Sequence, residues 1–128
     1  MFKRIDHVEI IPADLERTKA FYLDILGFTL KDEMTINTGL IDAISYLTLG
    51  DTMIELLSVV DPIRPHNPPM PVGYHAIALE VDDMEQTVEY LKGKGVDISW
   101  GPLEVGHAKR AEIRDPDELV IELRQWLK

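Results

Sequence analysis

The pattern of hydrophobic and polar residues in the first half of the chain changes from strand spacing to helix spacing and back. Residues 5–11 are rich in β-branched side chains and predict a strand that ends at Pro12. Asp14 is a suitable helix N-cap, and apolar residues then recur at helical spacing as far as Gly27. Further strands are predicted at residues 28–33, 44–49 and 52–59, with a loop at 34–43. The first half is therefore predicted to be β-α-β-β-β.

The same order of elements is predicted again after a proline-rich segment. Residues 61–73 contain five prolines and end at Gly73, which indicates an extended linker. A strand, a helix capped by Asp82 or Asp83, and three more strands follow, at residues 74–81, 83–93, 96–100, 108–114 and 119–126. We therefore predict a single domain over residues 1–128, built from module 1 (1–60), the linker (61–73) and module 2 (74–128).

Matched residues in the two halves support an internal duplication. His7 has a counterpart in His75, and Asp14 has one in Asp83. The two spacings differ by only one residue. The tripeptide Ile-Glu-Leu occurs at residues 54–56 and again, after a closely similar interval, at 121–123. Because each half is too small to enclose a core of its own, we expect the two halves to pack together.

The composition indicates a globular protein and excludes several classes of function. Hydrophobic residues make up 45% of the 128 residues, and 23 acidic against 13 basic residues give a formal charge of −10. This charge disfavours nucleic acid and anionic membrane as partners, and no apolar run is long enough to span a membrane. The absence of cysteine removes disulfides, thiolate metal sites and cysteine nucleophiles. The N-terminal segment does not resemble a secretory signal, so we expect a cytoplasmic location.

Two histidines and two glutamates occupy matched positions in the two halves. The interval by which His7 precedes Glu55 is almost the same as the interval by which His75 precedes Glu122. Taken singly, each glutamate fits a solvent-facing acid on a strand, and His7 fits a structural histidine. The matched spacing favours a shared site, because a pseudo-twofold between the halves would bring all four side chains to one point. Two imidazoles and two carboxylates suit a divalent transition metal ion.

Strand alternation identifies further residues around this set. One candidate shares a predicted strand face with His7, one with Glu55, and two with Glu122. A fifth lies in the predicted loop 101–107, which would form a lid over the site. The candidates for substrate contact are Glu9, Met53, His107, Arg124 and Trp126.

Several motifs resemble the vicinal oxygen chelate superfamily, which includes glyoxalase I, methylmalonyl-CoA epimerase, extradiol dioxygenases, fosfomycin-resistance enzymes and bleomycin-resistance proteins. They are Ile-Asp-His-Val-Glu-Ile at residues 5–10, Met-Ile-Glu-Leu-Leu at 53–57, Tyr-His-Ala-Ile-Ala at 74–78 and Ile-Glu-Leu at 121–123. The resemblance spans residues 4–126. It implies an α+β fold in which two β-α-β-β-β modules form a cupped, barrel-like mixed sheet around a metal ion. The ligands would correspond to His7, Glu55, His75 and Glu122, and open sheet edges favour a homodimer.

The His-Glu-His-Glu set is most similar to that of bacterial glyoxalase I, and the epimerases are also similar. This resemblance implies a metal-dependent lyase or isomerase in which Glu55 or Glu122 removes a proton next to a carbonyl, giving a metal-stabilised enediolate. The metal would be nickel, zinc, cobalt, manganese or iron. One alternative is a protein that binds an antibiotic or toxin. A non-heme iron dioxygenase is a further alternative, which Glu55 disfavours as a fourth ligand.

Two features bear on the identity of the small-molecule substrate. Glu9 stands where glutathione-dependent glyoxalase I usually has arginine, and an acid there would repel the carboxylates of glutathione. Coenzyme A would need a basic patch, and Lys109, Arg110 and Arg114 are the only dense basic cluster late in the chain. That cluster fits a solvated strand better, so the sequence leaves the involvement of glutathione or coenzyme A open.

Overall fold

The computed structural model, which describes residues 1–65 and 69–127, divides into two units of similar construction. The units are Met1–Pro65 and His66–Lys128. Each contains a four-stranded mixed sheet and a helical segment in the order β-α-β-β-β, as the sequence predicts. Residues 66–68, in the proline-rich segment, lie outside the described residues, so the linker stays a prediction.

The first unit begins with a short strand and a helix that continues as a π-helical turn. Its elements are β1 (Val8–Ile10), α1 (Leu15–Ala20), the π-helical turn Phe21–Ile25, β2 (Thr29–Thr35), β3 (Ile41–Leu49) and β4 (Thr52–Val59). The strand order in the sheet is β1-β4-β3-β2, with β1 parallel to β4 and the other neighbours antiparallel.

The second unit repeats this topology. Its elements are β5 (Ile77–Glu80), α2 (Met84–Gly93), β6 (Trp100–Val105), β7 (Ala108–Arg114) and β8 (Val120–Trp126). The strand order is β5-β8-β7-β6, and β5 is parallel to β8. No helix in the described ranges is both long and apolar enough to cross a bilayer.

The predicted aspartate caps begin both helices. The Arg17 backbone N–H donates a hydrogen bond to Asp14 Oδ1 at 3.0 Å, and the Gln86 N–H donates to Asp83 Oδ1 at 3.0 Å. Each bond satisfies one of the free N–H groups in the first turn, a contribution of about 1 kcal/mol. The two equivalent caps confirm that residues 14 and 83 occupy the same place in the repeat.

In the first unit, α1 covers one face of the sheet and Glu55 belongs to the other face. Lys19 of α1 contacts Glu33 Oε2 at 2.9 Å, and the Ser45 hydroxyl donates to the same oxygen at 3.3 Å. Ser45 is the ladder partner of Leu56, so Leu56 faces α1 and Glu55 faces the opposite way. The buried residues of this unit include Phe21, Tyr22, Leu47, Ile54 and Leu56.

The second unit has the same two-faced arrangement. The Met84 N–H at the start of α2 donates to Gln125 Oε1 at 2.8 Å, which places Gln125 on the helix-covered face of β8. Glu122 and Arg124 alternate with that face and lie on the uncovered one. The buried residues of this unit include Met84, Leu91, Ile113, Ile121 and Leu123.

The sequence prediction is wrong for the stretch after α2. Residues 96–99 are not a strand, and the predicted loop 101–107, with its lid function, is mostly strand β6. Gly101 and Pro102 make this strand difficult to predict from the sequence, because both residue types are unfavourable in strand interiors. The ladder shifts register between Trp100 and Leu103. Gly101 has φ +75°, and a Cβ there would lie 2.6 Å from the Arg110 carbonyl oxygen, so the close approach of the strands requires glycine.

Candidate functional site

Three side chains of the first unit gather beside the parallel pair β1–β4. Glu9 is the ladder partner of Glu55, and His7 lies two residues before Glu9 and so shares its face. His7 Nε2 lies 3.1 Å from Glu9 Oε2 and 3.2 Å from Glu55 Oε2. One ligand atom from each of these residues lies within 4.8 Å of the others. We refer to His7, Glu9 and Glu55 as the acidic triad.

The chemistry of the acidic triad fits a divalent transition metal ion. Such ions bind imidazole nitrogen and carboxylate oxygen at about 2.0–2.2 Å, which separates ligand atoms by roughly 3–4 Å. Glu55 is only 6% exposed, and a buried carboxylate needs a cation or a set of hydrogen-bond donors. His7 and a metal ion are alternative sources of that positive charge.

The second ring nitrogen of His7 is held by its chain neighbour. His7 Nδ1 lies 2.8 Å from Asp6 Oδ2, so Nε2 is directed to the two glutamates. Hydrogen bonds to Asp6 and Glu9 raise the pKa of His7, and the bond to His7 lowers the pKa of Asp6. A carboxylate on the far nitrogen is the usual partner of a metal-binding histidine, because it fixes the ring and makes it more basic.

Tyr46 completes the surroundings of Glu55, and the sequence analysis did not identify it. It is the ladder partner of Glu55 on β3, and its hydroxyl donates a hydrogen bond to Glu55 that raises the pKa of Tyr46. Its ring also meets the His7 imidazole edge-on, with centroids 6.4 Å apart. The hairpin signal Gly50-Asp51 could have revealed it, because a two-residue turn pairs residue 49 with 52 and therefore 46 with 55.

The carboxylate of Glu122 in the second unit is held by two arginines. Arg110 Nε donates to Oε1 at 2.8 Å, and Arg124 Nε donates to Oε2 at 2.9 Å. Burial alone would raise the pKa of Glu122, but the hydrogen bonds from Arg124 and Arg110 outweigh it, and the pKa lies below its usual value. Glu122 is therefore ionised at neutral pH, with both oxygens occupied as acceptors.

Each of these arginines stacks on a tryptophan. The Arg110 guanidinium carbon lies 5.3 Å from the centroid of the Trp100 ring, and that of Arg124 lies 4.8 Å from Trp126. We call Arg110, Arg124, Trp100 and Trp126 the arginine clamp. The predicted basic cluster is thus divided, because Lys109 contacts Glu85 of α2 while Arg110 faces Glu122. The sequence analysis did not identify Trp100, and it named Arg110 only within the basic cluster considered for coenzyme A.

The remaining sequence candidates have different surroundings. Met53 is half-buried and lines a cavity of about 230 Å³ that Arg4, Asp6 and Lys31 also line. Asp6, which lines this cavity, also contacts His7 of the acidic triad, but no member of the triad lines the cavity. His107 is exposed in the turn between β6 and β7.

His75 lies outside the strands of the second unit. It precedes β5 and is exposed, and it makes no hydrogen bond or ion pair with any part of the chain that the structure describes. A site made by His7, Glu55, His75 and Glu122 takes two residues from each unit. Their convergence on one ion stays a prediction.

The strand pairing shows which residues of the two first strands are equivalent. Val8 pairs with Ile54, and Ile77 pairs with Ile121. Because Ile54 and Ile121 both begin the repeated tripeptide Ile-Glu-Leu, Val8 and Ile77 occupy equivalent places in the two units. The candidate histidine of the first unit directly precedes Val8, whereas one residue separates His75 from Ile77. His75 therefore lies one residue before the position in the second unit that is equivalent to His7.

Known proteins resemble this chain over almost its whole length. The sequence model of the Glyoxalase/Bleomycin resistance protein/Dioxygenase superfamily matches residues 4–123. The uncharacterized protein YaeR of Escherichia coli K12 is 34% identical over 94% of this chain and 95% of its own. A probable lactoylglutathione lyase of Vibrio cholerae is 32% identical over 95% and 90%. The crystal structure of a glyoxalase family protein from Enterococcus faecalis is 30% identical over 96% and 98%, with a TM-score of 0.81, which confirms the predicted fold class.

Proposed function

Because this chain belongs to the glyoxalase/bleomycin resistance protein/dioxygenase superfamily, we propose that it is a metal-dependent lyase or isomerase that transfers a proton next to a carbonyl group. The observation that carries this proposal is the acidic triad, whose ligand atoms lie within 4.8 Å of one another. The similarity to a probable lactoylglutathione lyase over 95% of the chain supports the reaction class.

The residues that would hold the ion are His7 and Glu55, with Glu9 beside them. His75 and Glu122 are the ligands we propose from the second unit. When bound, a nickel, zinc, cobalt, manganese or iron ion would polarise the substrate carbonyl and stabilise negative charge on its oxygen. Asp6 orients the imidazole for this role through its 2.8 Å contact with Nδ1.

We assign the role of general base to Glu55 and not to Glu122. Both oxygens of Glu122 accept hydrogen bonds from guanidinium groups, which disfavours its protonated form and makes it a weak base. Among the described residues, Glu55 has one hydrogen-bond donor, the Tyr46 hydroxyl, and a histidine at 3.2 Å. Glu55 takes a proton from the carbon beside the substrate carbonyl, which leaves an enediolate. It then returns the proton to a carbon of that enediolate.

We propose further that residues 1–128 act as one domain and that two chains form a homodimer. The outer strands of the two described sheets are β1 and β2 in the first unit, and β5 and β6 in the second. Unpaired strand edges of this kind are commonly covered by another strand or chain. Light scattering that gives the mass of one 14.6 kDa chain at micromolar concentration would contradict the dimer.

Metal analysis and hydrogen exchange together test the proposed function. The full chain is stripped with chelator, reloaded with each of the five metals and dialysed, and we expect about one ion per chain. The loaded protein is then incubated in D₂O with methylmalonyl-CoA or with the adduct of methylglyoxal and glutathione. Deuterium entering the carbon next to the carbonyl, seen by NMR, supports the proposal. Failure to retain any metal would instead favour the alternative of an antibiotic- or toxin-binding protein.

A further inference from the structure

We propose that the arginine clamp binds the carboxylate group of an anionic small molecule. The inference rests on the proposed function only in taking this molecule to be the substrate. The clamp lies on the uncovered face of the second unit's sheet, beside Glu122. Its residues come from three adjacent strands, with Trp100 on β6, Arg110 on β7 and Arg124 on β8.

The hydrogen-bond donors of the clamp are only partly used. A guanidinium group carries five N–H donors in one plane. Arg110 contacts Glu122 through Nε and Nη2, and Arg124 does the same, with its Nη2 at 3.3 Å. Within residues 1–65 and 69–127, neither Nη1 atom makes a hydrogen bond or an ion pair. Each arginine therefore keeps a free terminal edge, and a carboxylate accepts two parallel bonds from such an edge.

The charges around the clamp are unevenly paired. Two guanidinium groups face the single carboxylate of Glu122, and each arginine side chain is only 28% exposed. Glu80 and Glu112 occupy ladder positions beside Arg124 and Glu122, yet neither forms an ion pair with a guanidinium in the described part of the chain. The three carboxylates on this face outnumber the two guanidinium groups, so a further carboxylate would be held by the unused N–H donors and not by a net positive charge.

The tryptophans give the clamp its rigidity and its apolar surface. Stacking on an indole fixes the plane of a guanidinium, so less side-chain entropy is lost when a ligand binds. Trp100 is 37% exposed and Trp126 is 56% exposed, which leaves indole surface for the carbon skeleton of a ligand. The ligand class is therefore a small carboxylate with an apolar or planar body.

The position of the clamp ties it to the proposed reaction. Both arginines contact Glu122, which is also a proposed metal ligand. A carboxylate on the free guanidinium edges would lie on the face of the sheet that carries this glutamate.

The two tryptophans of the chain allow a direct test, since both belong to the clamp. Indole fluorescence of the full chain therefore reports on the clamp alone. The chain is stripped of metal with chelator, dialysed into chelator-free buffer, and titrated with benzoate and with malonate at constant ionic strength, with benzamide as the uncharged control for benzoate. We expect a saturable change in fluorescence with a carboxylate and none with benzamide. An equal response to benzoate and benzamide, or no response to either carboxylate, would overturn the proposal.

Variants separate the clamp from general charge effects. Arg110→Gln and Arg124→Gln should each weaken carboxylate binding by about tenfold or more, because each removes charged hydrogen bonds. Arg114→Gln is the matched control, since Arg114 lies on β7 but donates to the Glu118 carbonyl oxygen at 3.2 Å. Equal weakening by Arg114→Gln would contradict the proposal.

A second pair of variants covers the case in which glutamine destabilises the sheet. Arg110→Lys and Arg124→Lys keep the charge but lose the planar fork, and we expect intermediate affinity with unchanged circular dichroism. Wild-type affinity in both would rule out recognition by the guanidinium edges. Because these titrations use the metal-free chain, a negative result here leaves the metal-loading experiment unaffected. A chain that binds no metal can equally still bind carboxylates.

Discussion

Tyr46 and Glu55 face each other across the β3–β4 ladder, and the tyrosine hydroxyl donates a hydrogen bond to the buried carboxylate. The same tyrosine ring meets the imidazole of His7 edge-on. A single residue on the central part of the sheet therefore positions both a proposed base and a proposed metal ligand.

Replacing Tyr46 by phenylalanine should slow proton transfer without unfolding the protein. The variant keeps the ring and removes the hydroxyl that holds the Glu55 carboxylate in position, so we expect a roughly tenfold slower deuterium exchange. Tyr74→Phe is the control, since Tyr74 is fully exposed. An unchanged exchange rate in Tyr46→Phe would show that the hydroxyl does not act through Glu55.

Replacing Glu55 by glutamine distinguishes the base from a ligand. Glutamine keeps an oxygen that can bind metal and loses the ability to accept a proton, so exchange should fall by about 10²-fold or more while metal is retained. Glu104→Gln, on the exposed strand β6, provides a control for the loss of one charge. If Glu122→Gln alone abolishes exchange, the base is Glu122, and Glu55 is only a ligand.

His75→Ala tests whether the second unit supplies metal ligands. Because His75 is exposed and lies outside the strands, its replacement should leave the thermal midpoint unchanged. Metal affinity, measured by competition with a chelating dye, should fall by at least about tenfold if His75 is a ligand. Unchanged affinity in His75→Ala, together with a loss in Glu9→Gln, would restrict the ligands to the acidic triad.

The metal-free protein should show a pH-dependent contribution of His7 to stability. Contacts with Asp6 and Glu9 raise the pKa of His7 above 6.5, so the folded state binds this proton more tightly than the unfolded state. The stabilisation is fully present below about pH 6.5 and disappears as the pH rises through the raised value. The urea midpoint of His7→Gln in EDTA should therefore fall below that of the wild type at acidic pH and approach it in alkali. A difference that grows with pH would contradict this sign, and the exposed His107→Gln is the control.

Gly101→Ala should destabilise the second unit more than any surface substitution. The position has φ +75°, and the added Cβ would lie 2.6 Å from the Arg110 carbonyl oxygen. We expect a loss of about 2–3 kcal/mol in the free energy of urea unfolding, because strain and steric overlap combine. Gly93→Ala in α2 meets nothing within 4 Å and should be neutral or slightly stabilising. Equal midpoints for the two variants would contradict this account of β6.

The sequence by itself determined the order of elements, the two aspartate caps and the duplication. These features depend on residues close together in the chain, since hydrophobic spacing and a cap at Asp14 or Asp83 act within one or two turns. The closeness of His7 and Glu55 was also within reach, because alternation along β1 and β4 limits each side chain to one of two faces. The prediction failed at residues 96–107, where Gly101 and Pro102 mask a strand that exists only because β7 pairs with it.

The tertiary structure alone decided which side chains meet. Tyr46 reaches Glu55 through the register of β3 on β4, and Arg110 reaches Glu122 through the register of β7 on β8. A shift of one residue in either ladder would turn the partner to the opposite face of the sheet. Register is set by the summed packing of whole strands and their turns, and local propensity contains little of that information.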